Sequence, residues 1–153
     1  MLEKLREELE KDEGVVYSIY FDHLGYATFG IGHLITKDDP EYYIIDKAKK
    51  GKVSISKERV EEAFKKDIEK VLNDCRKVFA DFDLFVEELR LIIANMMFNL
   101  GLTRFSKFKK FIKAIKDKNY EEAAKEMANS AWYQQVPNRA KRLRNRIIKL
   151  IND

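Results

Sequence analysis

From residue 85 to residue 100 apolar side chains fall on nearly every side of a helical projection: Leu89, Leu91, Ile92, Ile93, Met96, Met97 and Phe98. A helix that is apolar all round cannot lie on a surface and must be enclosed by other elements. Gly101 marks its expected end. Segments able to enclose it follow at once. Phe108, Phe111, Ile112 and Ile115 mark one amphipathic helix, Ala123, Ala124 and Met127 mark another, and Pro137 suits the first position of a basic terminal helix. The carboxy-terminal half is therefore expected to be a helical assembly built around one central helix.

The amino-terminal half has a different texture. Leu2, Leu5 and Leu9 recur at helical spacing among charges and predict a first helix over 1–12. From Val15 to Ile35 the residues are β-branched and aromatic, punctuated by glycines, which predicts an antiparallel sheet of two or three strands. Pro40 is expected to open a short helix that stops near Gly51. Ser56 is a plausible N-cap for a long helix reaching about Phe79, with Val60, Ala63, Phe64, Ile68, Val71 and Leu72 on its apolar stripe. The 153 residues suit one domain or two small lobes sharing a helix. The expected fold is α+β and mostly α. A sheet-bearing small lobe over about 14–56 would be joined by the connecting helix at about 57–79 to a helical lobe, about 80–153 with helix 1–12. A groove between such lobes is a common place for a ligand.

Charge narrows the partners. Positive residues concentrate late: Arg104 to Lys118 holds seven basic residues against Asp117, and Arg139 to Lys149 holds six and no acid. A basic face attracts polyanions, so nucleic acid, an anionic membrane and the bacterial envelope all enter as partners; ordinary solvated helix faces are the bland alternative. Cys75 is the only cysteine, which excludes an internal disulfide framework and a cysteine-based metal site and leaves an inert thiol as the expectation. The amino terminus lacks the apolar stretch of a signal peptide and no run of 18 apolar residues occurs. Cytoplasmic synthesis without export signal or stable membrane insertion is expected.

The chemistry concentrates in the window Glu13-Gly-Val-Val-Tyr-Ser-Ile-Tyr-Phe-Asp22-His-Leu-Gly-Tyr-Ala-Thr28-Phe-Gly-Ile-Gly-His33. Glu13 ends the first helix, and Asp22 and Thr28 flank a turn expected at His23-Leu24-Gly25. Folding back there could aim two carboxyls and a hydroxyl into one cleft. Two facing carboxyls are the minimum equipment for cleaving a glycosidic bond: one donates a proton to the leaving oxygen, the other activates water or attacks the sugar. Each residue also has an ordinary reading: a helix-terminal glutamate, a turn aspartate and a strand threonine. His33 and His23 lack metal-site spacing, so no metal is expected. The Gly30-Ile31-Gly32 pair is too short for a phosphate loop and fits a bulge or a close backbone approach to ligand.

That window, with Gly30-Ile31-Gly32-His33-Leu34 and the later Trp132-Tyr133 and Pro137-Asn138-Arg139-Ala140-Lys141-Arg142, resembles the T-even phage type lysozymes (endolysins) of glycoside hydrolase family 24. The likeness runs from Leu2 to about Lys149. It implies a lysozyme-like two-lobed fold and an inverting hydrolase of the β-1,4 bond between N-acetylmuramic acid and N-acetylglucosamine in peptidoglycan. Glu13 would be the acid, while Asp22 and Thr28 would position water. The resemblance further implies that His33 pairs with Asp67 of the long helix, that Arg139 bonds Glu13, and that Gly32, Leu34, Phe98, Phe111 and Glu126 occupy cleft positions. It implies no cofactor, a monomer, no nucleic-acid partner, and action on the wall after the inner membrane is breached.

Departures from the pattern are local. Phe111 and Glu126 replace residues usually serine and asparagine, the segment Asp38 to Lys52 is shortened and rewritten, and Val136 stands where a threonine would cap the terminal helix. The rival reading is a basic helical module that binds anionic envelope or nucleic acid without catalysis.

Overall fold

A computed structural model describes residues 1–152. In chain order it contains α1 (Leu2–Glu13), β1 (Val16–Phe21), β2 (Ala27–Gly30), β3 (His33–Leu34), a 3-10 turn (Pro40–Ile44), α2 (Ile45–Lys50), α3 (Lys57–Val78) and a second 3-10 turn (Phe82–Leu84). There follow α4 (Glu87–Phe105), α5 (Lys109–Lys116), α6 (Tyr120–Ala128), α7 (Ala131–Gln135), α8 (Pro137–Lys149) and a last 3-10 turn (Leu150–Asn152). The architecture is α+β and mostly α. The chain divides into two compact units, Arg6–Lys70 and a helical unit of Met1–Leu5 with Val71–Asp153; α1 and α3 run through both.

In the sheet-bearing unit the strands lie antiparallel in the order β1-β2-β3. Tyr20 pairs with Thr28 and Phe21 with Ala27, while Thr28 also faces Leu34 and Phe29 faces His33. Strand alternation therefore separates two faces. Fully buried Phe29 marks the one packed on α3, where the Arg59 guanidinium lies 5.4 Å from its ring centroid. Tyr20, Thr28 and Leu34 share the other. The Ser56 hydroxyl accepts the Arg59 amide at 3.0 Å, capping the first turn of α3. Val60, Ala63, Phe64 and Ile68 then bury the stripe of α3 that lies in this unit.

In the helical unit, α4 buries Leu89, Leu91, Ile92, Ile93, Met96 and Met97, the enclosure its composition demands. Its end differs from the sequence expectation. Gly101 takes φ 76° and ψ 164°, a kink, and helical turns resume to Phe105. Glycine alone tolerates that backbone. The continuation is held by Phe105, which is fully buried with ring centroids 6.3 Å from Phe79 and 6.1 Å from Phe111.

A further difference is α7, which was not expected: the Ser130 hydroxyl accepts the Tyr133 amide at 3.1 Å and starts it. Pro137 does open α8, and Val136 before it offers no side-chain cap. Cys75 is fully buried, and burial pushes its thiol up to about 12. No helix among the described residues is long and apolar enough to cross a membrane.

Candidate active site

Glu13, Asp22 and Thr28 all belong to the sheet-bearing unit. Five residues, 22–26, connect β1 to β2. The Asp22 amide donates to the Tyr26 carbonyl at 3.0 Å and the Gly25 amide to the Asp22 carbonyl at 2.9 Å. This extends the strand register by one pair, so Asp22 lies opposite Tyr26.

Within that turn Asp22 is held by backbone donors. Its Oδ1 accepts the amides of Leu24 and Tyr26, each at 2.9 Å, the local bonding that makes aspartate a turn residue. The turn role and a catalytic one are compatible, because Oδ2 takes no hydrogen bond among the described residues.

Thr28 is 3% exposed and its hydroxyl donates to the Tyr26 carbonyl at 2.9 Å. The Thr28 oxygen is thereby left as an acceptor. One residue, Tyr26, thus fixes both groups: its N–H holds the carboxylate and its C=O holds the hydroxyl.

Glu13 is placed from the other side. It is the last residue of α1 and half-buried, and its side chain lies over the backbone of Gly32. A Cβ at Gly32 would stand 2.9 Å from Glu13 Oε1 and 3.0 Å from both Cγ and Cδ. Gly32 has φ +60°, so both its backbone and its missing side chain are needed here. The close approach foreseen for this glycine pair is, at Gly32, an approach by Glu13.

The structure brings His33 and Asp67 together, with Nδ1 2.7 Å from the carboxylate. It also supplies a partner not foreseen: Asp39 Oδ2 lies 2.9 Å from Nε2. Asp39 is itself bound by Arg59, which chelates Glu41 through Nε at 2.8 Å and Nη2 at 2.9 Å. The rewritten segment after Thr36 therefore clamps the imidazole to α3. Burial pulls the His33 pKa down, but the Asp67 and Asp39 carboxylates outweigh it and hold it above its ordinary value.

The remaining candidates are distributed more widely. Leu34 is 51% exposed beside Thr28. Arg139 belongs to the helical unit, whereas its expected partner Glu13 belongs to the other; Arg139 is buried and donates Nε to Asn95 Oδ1 at 2.8 Å. Phe98 and Glu126 are half-buried. Phe111, only 1% exposed, is a core residue rather than an open surface for sugar. It forms, with Glu126, Phe108 and Trp132, part of the lining of a cavity of about 520 Å³.

Sequence reasoning missed Tyr26, Asp39 and Asn95. Only Asp39 had a signal, as the residue before Pro40 at a helix start.

The sequence profile described as phage lysozyme matches residues 10–147. A probable T4-type lysozyme 2 from Dictyostelium discoideum is 33% identical over 94% of this chain and 92% of its own length. The pre-baseplate central spike protein Gp5 of Enterobacteria phage T4 is 30% identical over 91% of this chain and 26% of its own. The peptidoglycan hydrolase gp36 of Pseudomonas phage phiKMV is 28% identical over 88% of this chain and 14% of its own. A lysozyme-like α+β fold together with these relatives defines the class, a hydrolase of the lysozyme type acting on the cell wall. The chain belongs to the phage lysozyme family.

Proposed function

We propose that the protein hydrolyses the β-1,4 glycosidic bond between N-acetylmuramic acid and N-acetylglucosamine in bacterial peptidoglycan, with inversion at the anomeric carbon. Glu13 gives its proton to the leaving oxygen as the C–O bond breaks. Water forms the new bond to the anomeric carbon and passes a proton to Asp22, so the two carboxyls exchange protonation states over the turnover. The observation that carries this reading is the double use of Tyr26. Its backbone aligns an aspartate with a free oxygen and a threonine hydroxyl able only to accept, and such a pair can hold the two hydrogens of one water. Peptidoglycan as substrate is supported by the family and by the name of the phiKMV relative.

The decisive experiment pairs the parent with Glu13→Gln on purified cell walls. General acid catalysis is typically worth ~10²–10⁴-fold, so the variant should fold normally and clear the suspension at least 100-fold more slowly. Retention of a tenth of parental activity would remove Glu13 from the acid role. Nuclear magnetic resonance of the first-formed reducing end tests inversion: the α-anomer is expected, and a β-anomer would identify a retaining enzyme.

A further inference from the structure

Tyr20 occupies the same ground as Asp22 and Thr28. It is the cross-strand partner of Thr28, and the register that extends to Asp22 opposite Tyr26 puts Tyr20 and Asp22 on one face of the sheet. Directly opposed residues in such a pair have Cβ atoms roughly 4.5–5.5 Å apart. Tyr20 is half-buried and its hydroxyl has no hydrogen-bond partner among the described residues. Burial, and then the negative charges of Glu13 and Asp22, push its pKa above the ordinary value. The phenol therefore stays protonated beside the two carboxyl groups, and its O–H remains a donor.

Counting hydrogen bonds at the attacking water shows what that donor can do. The water has two hydrogens and two lone pairs. Both hydrogens are used, one by Asp22 and one by Thr28, whose own proton is committed to the Tyr26 carbonyl. One lone pair attacks the anomeric carbon. The other needs a donor, and neither an ionised Asp22 nor the committed Thr28 hydroxyl supplies one.

We infer that Tyr20 is a positioning residue whose hydroxyl donates to the second lone pair of the attacking water and so sets its orientation toward the sugar. This rests on the hydrolytic reading above. It predicts an effect on turnover and little on substrate binding, because the water has to be aligned only for the bond-forming step.

The test is Tyr20→Phe, which keeps the ring and removes only the hydroxyl, assayed by reducing-end release from purified peptidoglycan. The kcat is expected to fall about tenfold, the worth of one hydrogen bond, with KM within twofold and an unchanged melting temperature. A raised KM with kcat intact would make Tyr20 a saccharide contact instead. A melting temperature lowered by several degrees would make the hydroxyl structural. Either result overturns the inference.

A double-mutant cycle adds a readout that a structural role would not move. If Tyr20 and Thr28 act on one water, Tyr20→Phe should cost little in a Thr28→Ala background; fully additive losses would overturn the assignment. Glu13→Gln run alongside separates the two failures. An active Glu13→Gln protein sinks the hydrolytic reading and this inference with it. An inactive one beside a fully active Tyr20→Phe protein sinks the Tyr20 role alone.

Discussion

Replacing Gly32 with alanine separates two costs that the structure assigns to one position. The first is conformational. At φ +60° an alanine must adopt the left-handed region, which costs a non-glycine residue about 1–2 kcal/mol. For a chain of this size each kcal/mol lowers the melting temperature by roughly 2–4 °C, so a drop of about 2–8 °C is expected.

The second cost is steric and falls on catalysis. The new methyl would stand 2.9–3.0 Å from Glu13 Oε1, Cδ and Cγ, against the roughly 3.5–4.0 Å of ordinary carbon contacts. The glutamate must swing away, which moves its carboxyl by about half an ångström or more. A displacement near 1 Å can cost about 10²-fold in rate, so activity should fall by about 10- to 100-fold at temperatures where the protein remains folded.

Gly101→Ala is the control. Gly101 has φ +76° with ψ 164° and open space around its Cβ position, so it carries a backbone cost at least as large without the collision. Melting followed by circular dichroism and wall-clearing rates would be measured for both variants. Equal loss of activity in the two, or a Gly32→Ala enzyme as active as the parent, would refute the claim that Gly32 is bare in order to seat Glu13.

Two further predictions follow from side-chain pairing and capping. His33 has a raised folded pKa, so its pairing stabilises fully below the unfolded value of about 6.5 and is lost as pH rises through the folded value. Asp39, lowered despite burial by the Thr36 amide, His33 and Arg59, stabilises above its ordinary value of 3.8 and fails as pH falls through the folded one. Urea titrations from pH 3 to 9 should therefore show a His33→Asn penalty largest at about pH 4–6.5 and shrinking on the alkaline side; a constant penalty would show that the charge is irrelevant. At the start of α8, Val136→Thr should supply the missing side-chain acceptor and add about 1 kcal/mol. A threonine variant that melts no higher than Val136→Ala would show that no cap was lacking.

What the sequence disclosed depended on whether a local pattern had to encode it. The enclosure of α4 was legible because an all-round apolar helix admits no other environment. The cap at Ser56 and the start at Pro40 were legible because their chemistry is local. The five residues of α7 are too few to show a periodicity, and only Ser130 before them could have signalled a start. Gly101 was ambiguous in principle. A glycine can end a helix or kink it, and here the buried place of Phe105, a tertiary fact, selects the kink. The pairing of His33 with Asp39 was illegible for the same reason, since it depends on how a rewritten loop returns to α3.

The candidate site divides in the same way. The spacing of Glu13, Asp22 and Thr28 could be read from the chain, but the groups that make those residues cooperate are backbone atoms of Tyr26, and backbone leaves no mark on residue identity. The five residues between Asp22 and Thr28 nevertheless have a mechanical meaning. A three-residue loop brings 22 opposite 26, and 28 then returns to the same face two residues on. Inserting one residue in the loop would separate Asp22 from the Tyr26 amide, or slip the register and turn Thr28 to the other face. Either change leaves both functional side chains in the sequence and removes the geometry that joins them. A loop insertion after Leu24 should therefore abolish wall clearing while the helical unit keeps its ellipticity; an active insertion variant would show that the coupling through Tyr26 is dispensable.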